Sequence, residues 1–306
     1  MSKIKIAFIA KGNSKKAHQA FKSLPQLIKE FTKLTAEVFY TQHAKEAIAL
    51  TQQAINHNFT HVIACGGDGT AFEVLNGLMK SQHPETIFGV FPIGSANDFA
   101  RAQKLTRNLR QFLEIIDQEK IKQIDCGVAI YMNLKKETEQ AYFLNICEVG
   151  FGPEAVKKVN AKPHFWPVDF SFLVSITQTF FSYKRQTAEV KFNEVNWQNK
   201  LLIASFANSN CLGGGIYIAP DAKIDDGLLD VTLIGDVSTF DYFTKIGQLK
   251  KGLKIKHPQI EYHQTKKAFI TSTLPIGIEA DGEYLGTLPA EVSILHKALQ
   301  FLNSSI

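Results

Sequence analysis

Residues 64–70 read Ala-Cys-Gly-Gly-Asp-Gly-Thr, three glycines around one carboxylate. The apolar run Phe59-Thr60-His61-Val62-Ile63 enters this stretch, and the helical pattern Ala71–Lys80 leaves it. Gly and Asp make ordinary turns, because Gly takes positive φ at little cost and Asp bonds its own backbone. A strand-to-helix turn does more. It presents main-chain N–H groups beside a helix N-terminus, where an anion is favoured. Gly66, Gly67 and Gly69 would let a phosphate approach the backbone, and Thr70 could cap the helix or bond a phosphate oxygen. Asp68 would repel phosphate unless a metal or a proton-transfer role accounts for it. No Gly-Lys-Ser/Thr follows, so this is not a Walker A loop. A second strand-to-helix turn lies in Phe91–Arg101, where Ser95, Asn97 and Asp98 crowd the helix start. Read alone, it is a capping cluster beside a solvated Arg101. A third stretch, Glu279–Gly286, places Asp281-Gly282 between alternating flanks with Glu283 beside them, the pattern of a tight hairpin.

The elements that must carry these residues fall into two patterns. Over the first 125 residues, short buried strands (KIAFIA, AEVFYT, HVIACGG, IFGVFPIG) alternate with helical spacing (AHQAFKSLPQLIKEFTKL, AKEAIALTQQAINHN, TAFEVLNGLMK, SANDFARAQ). Pro25 is expected to break the first helix. Such alternation implies βα units on a mostly parallel sheet. Two glycine turns at successive βα junctions would then share the sheet edge where open α/β sheets place ligands. After residue 125 most segments read as strands: CGVAIYMNL, QAYFLNICEVG, AEVKFNEVNW, LLIASFANS, LLDVTLIG, AFITST, IGIEADGEYL and AEVSILHK. Only 166–184 and 238–253 read as helices. The expected organisation is an α/β domain over 1–124 and a β-rich antiparallel sandwich over 125–296, with the tail 297–306 a candidate to return to the first domain.

Composition sets wide bounds. The chain has 306 residues, 45% hydrophobic and 21% charged, with a formal net charge of +5. This suits a soluble protein that could meet nucleotides, anionic membranes or nucleic acid, and it selects none of them. Cys65, Cys126, Cys147 and Cys211 form no CxxC pair, so neither a zinc site nor a disulfide framework is expected. The N-terminal apolar run is too short for a signal segment, and 170–183 is too short to span a bilayer, so a cytoplasmic location is expected. The aromatic segment 164–185 is most simply core. With Lys157, Lys158 and Lys162, and with Lys245, Lys250, Lys251, Lys254 and Lys256, it is also a candidate surface for peripheral contact with anionic membrane. No nucleic-acid motif appears.

Taken in order, the blocks resemble the catalytic domain of diacylglycerol kinases, sphingosine kinases and their bacterial relatives. These blocks are GGDGT, PIGSANDFAR, FLNICEVGFGPEAV (143–156), GGGIYIAPDAKIDDGLLDV (213–231) and EADGEYLG (279–286). The resemblance covers nearly the whole chain. It implies an α/β nucleotide domain followed by a β-rich domain, with the active site in the cleft between them. It also implies transfer of the γ-phosphoryl group of ATP to a lipid hydroxyl with Mg²⁺, diacylglycerol being the leading acceptor. By position, it puts ATP contacts on Thr41, Gly66, Gly67, Asp68, Gly69, Thr70, Ala71 and Phe72, with Ser95 in place of the family's usual threonine and Asn97 beside it. It puts the general base on Glu283, with Asp281 second, and a structural Mg²⁺ on the Asp226 side chain with the carbonyls of Lys223 and Leu228. Asp68 is then the leading ligand of a catalytic Mg²⁺, directly or through water. Gly213–Gly215 would let the chain approach Asp68 and that metal. The family's Asn-Pro-x-Ser-Gly loop after the first strand is replaced by Ala10-Lys11-Gly12-Asn13-Ser14-Lys15-Lys16. A second copy of the chain is a candidate partner. Two other readings stand beside this one: an NAD kinase-like enzyme, since those enzymes share GGDGT, and a non-catalytic lipid- or nucleotide-binding relative.

Overall fold

The early strands are apolar at nearly every position, which a strand tolerates when both its faces are covered. In the computed structural model, which describes residues 3–81, 83–160, 178–180 and 182–303, the chain divides into two compact units. One is Met1–Ile124 with Lys297–Ile306, and the other is Asp125–His296.

In the first unit, strands β1 (Ile4–Lys11), β2 (Leu34–Thr41), β3 (His61–Gly66) and β4 (Ile87–Pro92) are all parallel, in the order β2-β1-β3-β4. The chain's last strand adds Phe301 parallel to Phe88 of β4. Helices α1 (Lys15–Ala20) and α2 (Leu24–Leu27) flank the predicted break. Pro25 sits in the first turn of α2, where its missing N–H leaves no bond unmade. Helices α3 (Glu46–Asn56) and α4 (Asp68–Ser81) pack so closely that a Cβ on Gly77 would lie 2.8 Å from the Ile48 carbonyl oxygen. After α5 (Asp98–Ala102), helix α6 (Leu109–Asp117) supplies an element that the sequence reading did not contain. It buries Leu109, Phe112, Leu113, Ile115 and Ile116, and the Asn108 side chain caps it by accepting from Gln111 N at 3.1 Å. Phe112 closes a ring of aromatic contacts through Phe8, Phe21 and Phe91, the centre of this core.

The second unit is a β-sandwich-like domain of antiparallel strands. Its strands are β5 (Ile121–Met132), β6 (Thr138–Phe143), β7 (Ile146–Gly150), β8 (Gln186–Phe192), β9 (Val195–Leu201) and β10 (Ile203–Ala207). They continue with β11 (Leu229–Ile234), β12 (Ile260–Thr265), β13 (Lys267–Ser272), β14 (Gly277–Ala280) and β15 (Glu283–Leu302). One path runs β12-β11-β10-β7-β14-β15, and the other runs β9-β8-β13-β15-β5-β6. The long strand β15 belongs to both. Helix α7 (Phe151–Asn160) corrects the expectation of only two helices in this half, and α8 (Thr239–Lys250) matches the expected helix at 238–253. Gly152 and Pro153 give α7 a loop-like sequence, yet Pro belongs in a helix's first turn, and a Cβ at Gly152 would meet Glu148 Oε2 at 2.4 Å. The helix expected at 166–184 lies outside the described residues except for 178–180 and 182–184. Among the described residues no helix is long and apolar enough to cross a membrane.

Candidate active site

In the first unit, Lys11, Thr41, Gly66 and Pro92 all end parallel strands, so the turns that follow them share the carboxyl edge of the sheet. The two glycine turns lock together there. Ile93 N and Gly94 N both donate to the Gly66 carbonyl at 3.0 Å. A Cβ on Gly94 would stand 2.4 Å from Gly67 Cα, so main chain lies against main chain and only glycine fits. Gly66 is closed off by a side chain instead, since its Cβ would meet Thr70 Oγ1 at 2.3 Å. Ala71 N donates to Gly67 O at 3.1 Å and starts the first turn of α4.

Asp68 does not point away from this structure. Its Oδ1 accepts from Phe99 N at 3.3 Å, and the main-chain N–H groups of Asp98 and Asn97 also support the carboxylate. The aspartate therefore takes the anion position at the start of α5 and ties one turn to the other. Burial raises its pKa above the ordinary carboxylate value, and those N–H bonds pull the other way. Asn97, in the left-handed region at φ 51°, donates from Nδ2 to Gly94 O at 2.6 Å, while its buried Oδ1 has no partner. Ser95 is exposed, Thr70 and Phe72 are half-buried, and Ala71 is buried and can offer only its backbone. At Thr41 the carbonyl accepts from Gly12 N at 3.0 Å. In the altered first loop, Ser14 Oγ caps α1 by accepting from Ala17 N at 3.2 Å, and His18 bonds Gly12 O at 2.7 Å and stacks on Tyr40.

In the second unit, Asp281 and Gly282 form the tight turn between β14 and β15, with φ of 50° and 83°. This is the mirror-image turn that Asp-Gly favours. The Asp281 carboxylate accepts three main-chain N–H groups, from Leu144 at 2.8 Å, Asn145 at 2.9 Å and Ile146 at 3.0 Å. These bonds explain why the stretch expected as one strand at 140–150 breaks between β6 and β7: its N–H groups turn to a side chain instead of a neighbouring strand. Glu283 follows the turn, half-buried, and pairs across it with Ala280.

The same region holds a polar cluster that the sequence reading passed over inside the strand-like run LLIASFANS. Asn145 O accepts from Asn208 N at 2.9 Å and Ser209 N at 3.0 Å, while Asn208 Nδ2 donates to Leu144 O at 2.7 Å. The Asn145 amide also donates to Cys211 O. Asn145 Oδ1, Asn208 Oδ1, Ser209 Oγ and Asn210 Oδ1 are buried without a protein partner, so capacity remains for water or a ligand. The signal was present as Asn-Ser-Asn before Gly213–Gly215, whose φ values of 58°, 79° and 112° all require glycine.

The loop containing Lys223, Asp226 and Leu228 is held from below. Asp125, fully buried, accepts from Gly227 N at 2.6 Å and from His296 Nδ1 at 2.8 Å, and its own N–H donates to Ile224 O at 2.6 Å. Asp226 is exposed and bonds Leu228 N at 3.0 Å. Neither Asp125 nor His296 was singled out from the sequence.

A family profile described as "Diacylglycerol kinase catalytic domain" matches residues 5–129, and one described as "YegS C-terminal NAD kinase beta sandwich-like domain" matches residues 146–303. A diacylglycerol kinase of Staphylococcus carnosus (strain TM300) is 25% identical over 270 residues, 87% of this chain and 85% of that protein. One of Staphylococcus aureus (strain bovine RF122 / ET3-1) is 25% identical over 252 residues, covering 82% and 77%. Among solved structures, a diacylglycerol kinase from Bacillus anthracis str. Sterne superposes with a TM-score of 0.70 at 19% identity, covering 98% of this chain and 96% of that one. Yeast NADH kinase complexed with NADH superposes with a TM-score of 0.54 at 10% identity, covering 98% and 83%. These likenesses carry the fold.

Proposed function

The chain belongs to the diacylglycerol kinase catalytic-domain family and is a lipid kinase, and from that premise we propose that it transfers the γ-phosphoryl group of ATP to a lipid hydroxyl with Mg²⁺, diacylglycerol being the first acceptor to test. One observation carries the nucleotide half of this reading. The Gly66–Thr70 turn is packed backbone to backbone on the Gly94 turn, at the carboxyl edge of a parallel sheet and at the start of a 14-residue helix. Main-chain N–H groups of that turn and the Thr70 hydroxyl would hold the phosphates. Thr41, Ser95 and Asn97 line the same edge.

Asp68 serves first as the tie between the turns. With its carboxylate engaged by the start of α5, it would hold a catalytic cation through water. The donor set at Asp226, Lys223 and Leu228 is all oxygen and suits a hard cation. Among the described residues no group of three or more His, Cys, Asp or Glu side chains gathers to hold a metal, so water would complete either coordination shell. Bound Mg²⁺ supplies neutralisation of charge on the phosphate oxygens.

Glu283 is assigned as the base that takes the proton from the acceptor hydroxyl as its oxygen attacks the γ-phosphorus and ADP departs. Asp281 is assigned to positioning, because its lone pairs already accept three main-chain N–H groups. The second unit is assigned to the acceptor, and peripheral membrane contact follows from an acceptor that resides in a membrane.

The test is transfer of labelled phosphate from ATP to a lipid panel in mixed micelles with Mg²⁺. Diacylglycerol, monoacylglycerol, phosphatidylglycerol and a sphingoid base are run beside NAD as a soluble acceptor. Labelled phosphatidic acid, lost in Glu283→Gln, supports the assignment. Label on another lipid replaces the acceptor, and label on NAD alone rejects the proposal.

A further inference from the structure

The hairpin that carries Glu283 is held by a second carboxyl, Glu279, to which the family resemblance assigns no role. Glu279 of β14 lies directly opposite Glu148 of β7 in the antiparallel register, so the two side chains share one face of the sheet. Both are buried, at 4% and 6% relative exposure. Glu279 Oε2 accepts from Gly282 N at 2.8 Å, and Glu148 Oε1 is buried with no hydrogen-bond partner. A carboxylate has no donor, so a carboxyl–carboxyl hydrogen bond requires a proton on one partner.

Among the described residues no cation compensates the pair. Asp281 and Glu283 in the turn are acidic, as is Glu154 of α7. The Cys147 thiol on β7 is kept neutral by burial. Lys157 of α7 is already 2.9 Å from Glu154 Oε1 and lies 4.0 Å over the Tyr284 ring of β15. Two buried carboxylates side by side with no counter-charge repel strongly, and retaining one proton between them relieves that repulsion. Burial pushes both carboxyls above their ordinary range, and the neighbouring acid adds to the effect on Glu279.

We infer that Glu148 and Glu279 share a single proton, and that this protonated pair positions the Asp281–Gly282 turn so that Glu283 stands where it can act on the acceptor hydroxyl. The inference rests on the reading of Glu283 as the base. Neither glutamate touches substrate. Their part is to fix the turn from below through Gly282 N, while Asp281 fixes it from the side through Leu144, Asn145 and Ile146. Loss of the shared proton at high pH puts two charges under the hairpin and loosens it. Activity therefore falls on the alkaline side for a reason unrelated to Glu283's own titration, since a base gains from deprotonation.

Three variants and two readouts test this. Glu279→Ala removes the bond to Gly282 N and is expected to lower kcat at least tenfold with the KM for ATP changed less than twofold. Glu279→Gln, whose amide N–H stands in for the acid O–H, is expected to recover most of that loss. In both Glu279→Gln and Glu148→Gln the alkaline fall of kcat flattens, because no shared proton is left to lose. Independently of activity, infrared difference spectra in H₂O and D₂O should show a protonated-carboxyl C=O band in the wild type that disappears in each Gln variant. If that band persists unchanged in both Gln variants, or if the alkaline limb is the same in all three proteins, the shared-proton pair is refuted. If the band behaves as expected while Glu283→Gln keeps full kcat, the pair stands and the assignment of the base fails instead.

Discussion

Asp281 and Glu283 stand two residues apart, and the proposed mechanism gives them opposite tasks that a matched pair of isosteric variants separates. Asp281→Asn keeps the shape of the side chain but replaces one oxygen with NH₂. If the amide keeps its oxygen at the Oδ1 position, Asn145 N and Ile146 N retain an acceptor, while Leu144 N, now 2.8 Å from Oδ2, meets a donor. Losing one hydrogen bond to a charged acceptor costs about 1.5–3 kcal/mol, and the two survivors weaken on becoming neutral. Asp281 is partly exposed, which tempers the total to about 2–4 kcal/mol. For a unit of this size that lowers the Tm by about 5–15 °C. Glu283→Gln keeps the shape and size of a half-buried side chain and should shift stability by about 1 kcal/mol or less. As the base, however, it should lose about 10²–10⁴ in kcat. Urea and thermal unfolding measure the first quantity, and phosphoryl transfer assayed at least 15 °C below each variant's Tm measures the second. Glu283→Gln within threefold of wild-type kcat, with a fully folded Asp281→Asn down a hundredfold at unchanged KM, would reverse the two roles.

Three further outcomes follow from the geometry. Gly94→Ala drives a Cβ to 2.4 Å from Gly67 Cα, so the glycine turns must part, and isothermal titration should show ATP bound at least tenfold more weakly, with about 1–3 kcal/mol lost from stability. His61 is buried with Nε2 unpartnered, and burial lowers its pKa to about 4, so the folded state holds it neutral. Its unfolded pKa lies higher, so stability is lost as pH falls from about 6.5 towards 4; at pH 4.5 the loss is about 2–3 kcal/mol, and His61→Gln should remove that part of the slope in urea unfolding. Asp226→Ala deletes the only side-chain ligand assigned to the loop cation, so the Mg²⁺ concentration for half-maximal activity should rise, and Mg²⁺ should no longer raise the Tm.

The alternation of buried strands and helical spacing to residue 125, and the run of short strands after it, were readable because burial leaves a period of two or 3.6 in the residue order. The glycine turns were readable too, since positive φ and close backbone approach restrict a position to glycine. Local pattern misjudged α7, whose Gly152-Pro153 start looks like a loop until Glu148 is seen to need the space. It likewise read 140–150 as one strand, because nothing nearby reveals an aspartate some 135 residues on that claims three of its N–H groups. Residue types and spacing alone thus determined which turns could meet a phosphate and which carboxylates were available. Only the tertiary structure decided what each carboxylate is used for. Asp68 is taken by the start of α5, Asp281 by the β6–β7 break, Asp125 by Gly227 and His296, and Glu279, opposite Glu148, by Gly282. The physical reason is that a buried carboxyl's role is set by the donors that surround it, and those donors arrive from parts of the chain that only folding brings together.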